Sequence, residues 1–194
     1  MKKLLLTIFF AICGMSISAQ QHKITDTMGY RIITDNKLYF PKFCKAFQQA
    51  LEGEDLLKQV VFIDKKSTGP AFASAKGVMT INLDYFKGKK PNFDDNRLLV
   101  VLYHEIGHFY YYHRTPRSKW NSEDSEKAAF EYSLLKTKEM AVNKDCLPLK
   151  TGLRFMKLRS ESNALDDPHV RALKKMVNEP PYTEYLAYVK ANCN

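Results

Sequence analysis

The 194-residue chain contains no Gly/Ser/Pro-rich linker and no internal repeat, so nothing in it marks a boundary between domains. It also lacks an apolar run long enough for a membrane helix; the longest candidate, residues 4–12, is too short. Cysteine is scarce. Cys44, Cys146 and Cys193 follow Cys13, and their spacings match no zinc–thiolate signature. No nucleic-acid-binding motif is present, although the net charge is +9, or about +7 without Lys2 and Lys3. The basic residues are scattered over 87–90, 136–144, 154–159 and 171–175. That scatter reads as solvated surface, with anionic envelope polymers or acidic substrates as the alternative partners.

The first residues read as a targeting segment. Lys2 and Lys3 form a charged start, residues 4–12 an apolar centre, and Ser16-Ile17-Ser18-Ala19 a small-residue cleavage site. Cleavage between Ala19 and Gln20 is expected, giving an exported chain, periplasmic or extracellular, with one domain over residues 20–194. A lipid anchor on Cys13 is the alternative, and Ile12 fits it poorly. In an oxidising compartment two of Cys44, Cys146 and Cys193 can pair, and spacing does not say which.

The most informative stretch is His104-Glu105-Ile106-Gly107-His108. Residues four apart lie on one face of a helix, so His104 and His108 can offer two imidazole nitrogens to one Zn²⁺. Glu105, one step round, can take a proton from a zinc-bound water and pass it to a leaving amine. The flanking sequence supports a helix over 94–114. Asp94 or Asp95 offers an N-cap, the interior has no proline, and Pro116 follows the end. The run Leu98-Leu99-Val100-Val101-Leu102 makes it a buried helix, which can hold ligands rigidly. Gly107 leaves room for another backbone or a substrate.

This stretch resembles the active-site helix of the zincin metallopeptidases. The resemblance implies a third protein ligand, with one metal position left for water. The metzincin pattern requires His at 114 and Gly at 111, where the chain has Arg114 and Tyr111. His113 lies roughly 140° from His108 around the helix, so it cannot share the metal; it reads as a helix-end residue. The gluzincin form instead takes a Glu from a following helix. That helix is expected from Asn121-Ser122, which supply capping side chains, with Glu123 and Asp124 in its first turn. Glu126 is the favoured ligand, because Ala129, Phe130 and Ser133 make its face small and apolar. Glu131, with Lys127 four residues back, reads as solvated. Glu123 is the other alternative.

Glu126-x-x-Ala129 followed by an aromatic and a small residue also resembles the second ligand helix of two gluzincin groups. These are the CAAX-prenyl and heat-shock membrane peptidases and the IrrE-like peptidases. Those groups place an Asp or Asn where this chain has Ala129 and Phe130, to orient a zinc histidine from behind the ring. Asp124 and Asp167 are the candidates for that task. Asp167-Pro168-His169-Val170-Arg171 resembles the segment that brings a His and an Arg near the cleft in the membrane-peptidase group, which makes His169 a second catalytic candidate through oxyanion stabilisation. The same residues also read as a plain helix start, with Asp167 as N-cap and Pro168 at the first position. Tyr110, Tyr111 and Tyr112 read as packing residues.

Upstream, residues 60–63 read as a buried strand, and residues 71–83 as a hairpin turning at Lys76-Gly77. Zincins carry such a sheet ahead of the motif helix, and its edge strand binds extended peptide. Loops are expected at 88–92 and 115–121 and late helices at 168–177 and 181–192; residues 146–162 carry no clear signal. The expectation is therefore an α+β fold, with a short antiparallel or mixed sheet before the active-site helix and a mostly helical C-terminal half. The expected activity is hydrolysis of a peptide or protein substrate by a secreted zinc peptidase, with a non-catalytic zincin-like envelope protein as the alternative. An accidental motif in an unrelated envelope protein is the third reading. Oligomeric state is not legible.

Overall fold

The computed structural model describes residues 23–24, 26–88 and 90–193. The expected targeting segment lies outside these. Two helices precede the sheet, α1 (Thr27–Asp35) and α2 (Pro41–Gly53). Their signals are plain in the sequence. The Asp26 carboxylate accepts from the Met28 and Gly29 amides, Pro41 opens α2, and Phe43, Ala46, Phe47, Ala50 and Leu51 form its buried stripe.

Three strands follow, β1 (Gln59–Ile63), β2 (Ala71–Ala73) and β3 (Val78–Asn82), in the order β1-β3-β2. The hairpin forms as read, with Ala71 opposite Ile81 and Ala73 opposite Met79. Gly77 has φ +77° in its turn, and a Cβ there would lie 2.5 Å from the Leu56 carbonyl oxygen. β1 pairs parallel to β3, which makes the sheet mixed. The strand read as buried differs in one respect: within β1 only Val60 is fully buried. A small sheet at the margin of the core covers one strand face incompletely.

The chain then becomes helical: α3 (Asp95–Arg114), α4 (Ser122–Val142), α5 (Leu147–Ser160), α6 (Pro168–Met176) and α7 (Pro180–Asn192). Asp94 caps α3 and Asn121 caps α4, as the sequence indicates. The stretch 146–162, without a clear signal, is α5. One apolar cluster joins α1, α2, the sheet and Leu98, Leu99, Leu102, Ile106 and Phe109 of α3. A second gathers Phe130 and Leu134 of α4 with α5, α6 and α7. Cys146 and Cys193 form a disulfide that ties the start of α5 to the end of α7, and Cys44 is free. Burial pushes the Cys44 thiol up to about 11, so it is a poor nucleophile at neutral pH.

The two cores meet where α3 crosses α4. A Cβ on Gly107 would lie 2.7 Å from the Ala129 Cα and 2.9 Å from the Tyr132 Cβ. The room at Gly107 is thus taken by another backbone. Alanine there gains up to about 1 kcal/mol of helix propensity but forces two backbones apart, an overpacking cost of about 1–3 kcal/mol. Gly107→Ala is therefore expected to lower the free energy of unfolding by about 1–2 kcal/mol in urea titration. Unchanged stability would show that the crossing is not tight.

Candidate metal centre

Three helices supply this site. α3 contributes His104, Glu105 and His108, all at most 7% exposed. Their Nε2 atoms, those of His104 and His108, lie 3.2 Å apart, with the rings edge to face. The four-residue spacing predicts this convergence. α4 begins at its Asn121 cap and turns Ser125 and Glu126 onto α3. The Glu126 Oε2 lies 3.1 Å from the His104 Nε2 and 3.6 Å from the His108 Nε2. α6 brings His169, whose Nε2 is 3.2 Å from the same oxygen. His104, Glu126 and His169 each offer a ligand atom within 4.8 Å of the others.

All these atoms are acceptors unless a proton intervenes. The Glu126 Oε2 is buried and makes no hydrogen bond, despite three imidazole nitrogens within 3.6 Å. A tetrahedral metal with bonds of about 2.0–2.2 Å requires ligand–ligand edges of roughly 3.3–3.6 Å. The observed separations, 3.1, 3.2, 3.2 and 3.6 Å, lie within or just below that range, so the group could hold a cation. The residue types, imidazole and carboxylate, suit Zn²⁺.

The rings are held from behind in three ways. The His108 Nδ1 is 2.8 Å from the Ser125 Oγ. The His169 Nδ1 is 2.9 Å from the Asp167 Oδ1, and Arg159 pairs with the other oxygen of that carboxylate. The His104 Nδ1 is buried with no hydrogen bond, and its ring rests on Phe130, 4.3 Å between centroids. Asp167 thus contacts His169 rather than either histidine of the motif, and Asp124 contacts none of the rings. Ser125 was not legible, because its partnership with His108 spans two helices.

Electrostatics follow from enclosure. Burial, then the fields of His169 and Arg97, holds His104 well below its ordinary pKa. Burial and His104 bring His108 down to about 4, against the pull of Glu126. Both shifts favour the neutral ring, the form that ligates metal. Burial pushes Glu105 up to about 8, the Glu126 charge adds to this, and the Ala73 backbone N–H opposes it by donating to the Glu105 carboxylate. Burial also raises Glu126, opposed by His108 and His169. For Asp167 burial acts upward, but the His169 amide and ring and Arg159 hold it below its usual range.

The other candidates lie elsewhere. Glu123 is bound by Arg171 at 2.9 Å and by Lys175. Glu131 faces Lys127 at 3.9 Å and is nearly half exposed. Arg171 does not reach into the site; its guanidinium holds Glu123 and the carbonyls of Leu165 and Asp166. It fastens the start of α6 to the start of α4, which fixes where His169 projects. Asp167-Pro168 is both a helix start and part of the site. His113 is exposed at the end of α3. The tyrosines pack: Tyr110 donates to Glu54, Tyr111 accepts from the Asn121 amide, and Tyr112 lies between His108 and Trp120.

Zn²⁺ at about 100 times its dissociation constant is expected to stabilise the folded chain by about 2.7 kcal/mol, read as a higher unfolding temperature. Glu126→Gln should abolish most of that rise and Glu131→Gln leave it intact. The reverse pattern would remove Glu126 from the ligand set.

No protein-family model matches the chain, and no curated protein or solved structure matches it either.

Proposed function

We propose that the chain is a zinc-dependent peptidase of the gluzincin type. The observation that carries the reading is the convergence of the Glu126 carboxylate on the His104 and His108 nitrogens, with Glu105 beside it. His104, His108 and Glu126 would hold Zn²⁺. When bound, the ion supplies Lewis acidity to a water and to the scissile carbonyl. The Glu126 charge and the Ala73 amide both act on the Glu105 carboxyl group. In its ionised form Glu105 accepts the proton of the attacking water and returns it to the departing amine. His169, supported by Asp167 at Nδ1, donates from Nε2 to the developing oxyanion once that nitrogen is protonated.

The sheet offers a substrate rail. β2 has β3 on one side and, among the described residues, no strand on the other. Ser74 N–H donates to Val78 and Asn82 N–H to Pro70, so alternate residues face β3. By that alternation Ala71 and Ala73 turn their backbone groups outward. Ala73 directs its N–H to Glu105. An extended peptide paired along this edge runs past the general base.

A second reading is favoured by His169 itself. Its Nε2 stands at ligand separation from Glu126, and as a fourth protein ligand it would close the site. The chain would then be a non-catalytic metal-binding protein of the exported envelope.

Two measurements separate the readings. A peptidase is expected to cleave a mixed peptide library, with Glu105→Gln slowing it about 10²–10⁴-fold at unchanged zinc content; equal rates would end the proposal. His169→Ala should leave the Co²⁺ absorption spectrum and metal affinity unaltered while lowering the rate. A tenfold or greater loss of affinity with an altered spectrum, in a chain that cleaves nothing, would establish the closed site instead.

A further inference from the structure

Outside the metal centre, the most unusual charge in the fold is Arg97. It sits in the first turn of α3 and is only 9% exposed. A cation so enclosed is ordinarily paired with a carboxylate. Among the described residues, no ion pair or hydrogen bond engages its guanidinium. Phe155 of α5 covers one face, 3.0 Å from the guanidinium carbon to the ring centroid, and the Phe93 ring lies 5.8 Å away. A guanidinium stacked on a ring keeps its N–H edge free for ligands in its plane.

Arg97 lines a cavity of about 780 Å³ beside the start of α3. Its walls include Tyr39, Phe40, Phe93 and Phe155, and Arg154 lies at the exposed rim. Five charged side chains line it: Lys90, Asp94, Asp95, Arg97 and Arg154. Three are already committed. Asp94 accepts from the Arg97 amide, Asp95 accepts from the Lys42 and Phe43 amides, and Lys90 pairs with Asp84. Asp94 attracts Arg97 through its charge, against the dominant effect of burial. What the cavity lacks is an anion in contact with Arg97.

We infer that this cavity binds an amphipathic anion, with a carboxylate or phosphate head on Arg97 and an apolar body against the aromatic walls. The head takes the free guanidinium edge in a two-point contact, with Arg154 adding charge at the rim. The body replaces water against Phe93, Phe155, Tyr39 and Phe40. Carboxylate and phosphate share this chemistry, and the choice between them is made by measurement. The inference does not rest on the peptidase reading, because no ligand of the metal centre lines the cavity.

Calorimetric titration of the purified chain with octanoate, octyl phosphate, octanol, acetate and inorganic phosphate tests it. Octanoate or octyl phosphate should bind at one site at least tenfold more tightly than octanol and than either small anion. The tighter of the two identifies the head group. Arg97→Met, checked for folding by circular dichroism, should remove that advantage; Arg97→Lys should weaken it severalfold, and Arg154→Ala two- to threefold. Titration in the presence of a chelator should give the same affinity, which separates this cavity from anion binding at a metal. Equal binding of octanol and octanoate would overturn the inference. So would binding that survives in folded Arg97→Met, binding lost with the chelator, or no binding at millimolar ligand.

Discussion

The contact between Gly107 and Ala129 sets the distances in the rest of the site. With no side chain on Gly107, α4 comes close enough to α3 that an added Cβ would overlap the Ala129 Cα. One turn before each contact residue stand His104 on α3 and Glu126 on α4. Close approach of the backbones therefore becomes close approach of an imidazole and a carboxylate, at 3.1 Å. A larger residue at either position would move that imidazole and carboxylate apart by about the width of a methyl group. The crossing also joins the two apolar clusters, so the same contact supports both the core and the site.

The site itself opposes folding. His104, Glu105, His108 and Glu126 are buried together, and burial is the largest influence on the titration of each. Enclosed acceptors without donors cost stability unless they are protonated or meet a cation. The surroundings are built to sustain that cost. Leu98, Leu99 and Leu102 anchor α3 in one core, Leu134, Leu149 and Met156 fill the other, and the Cys146–Cys193 disulfide ties the late helices. A buried carboxylate oxygen with no hydrogen bond, held in so well packed a frame, is a cost that the surrounding packing must offset.

What the sequence reveals depends on how local each relationship is. His104 and His108 belong to one helix, so their spacing fixes their geometry. Asp94, Asn121, Asp167 and Pro168 mark helix starts through contacts within three residues, and those starts are placed correctly. Glu126 was legible at one remove, because Ala129, Phe130 and Ser133 mark the buried face of its helix. Ser125 was not, since nothing near it in sequence announces a bond to a ring on another helix. The parallel pairing of β1 with β3 and the Cys146–Cys193 bridge are non-local in the same way. Arg171 shows the converse: its neighbours suggest a place at the cleft, but Glu123 and the carbonyls of Leu165 and Asp166 hold it instead. The helices α1 and α2 carried ordinary local signals, an Asp cap, a Pro start and an apolar stripe.

The three imidazoles are not equivalent, and the difference bears on what the site can do. His104 is fixed by packing alone, against Phe130, and has no hydrogen bond at Nδ1. His108 leans on a neutral hydroxyl. His169 leans on a carboxylate, which fixes the orientation of its ring. It is also the accessible one, with 45% of its side chain exposed against 8% for His104 and 9% for His108. A ring that is partly in solvent can turn without opening the core. The other two cannot, because moving either ring breaks the α3–α4 contact. The fold therefore encloses the groups supplied by α3 and α4 and leaves the α6 imidazole half in solvent. The short helix α6 is fastened at its start by Arg171 and by the Asp167–Arg159 pair, with the His169 ring held between Asp167 and Glu126 at the edge.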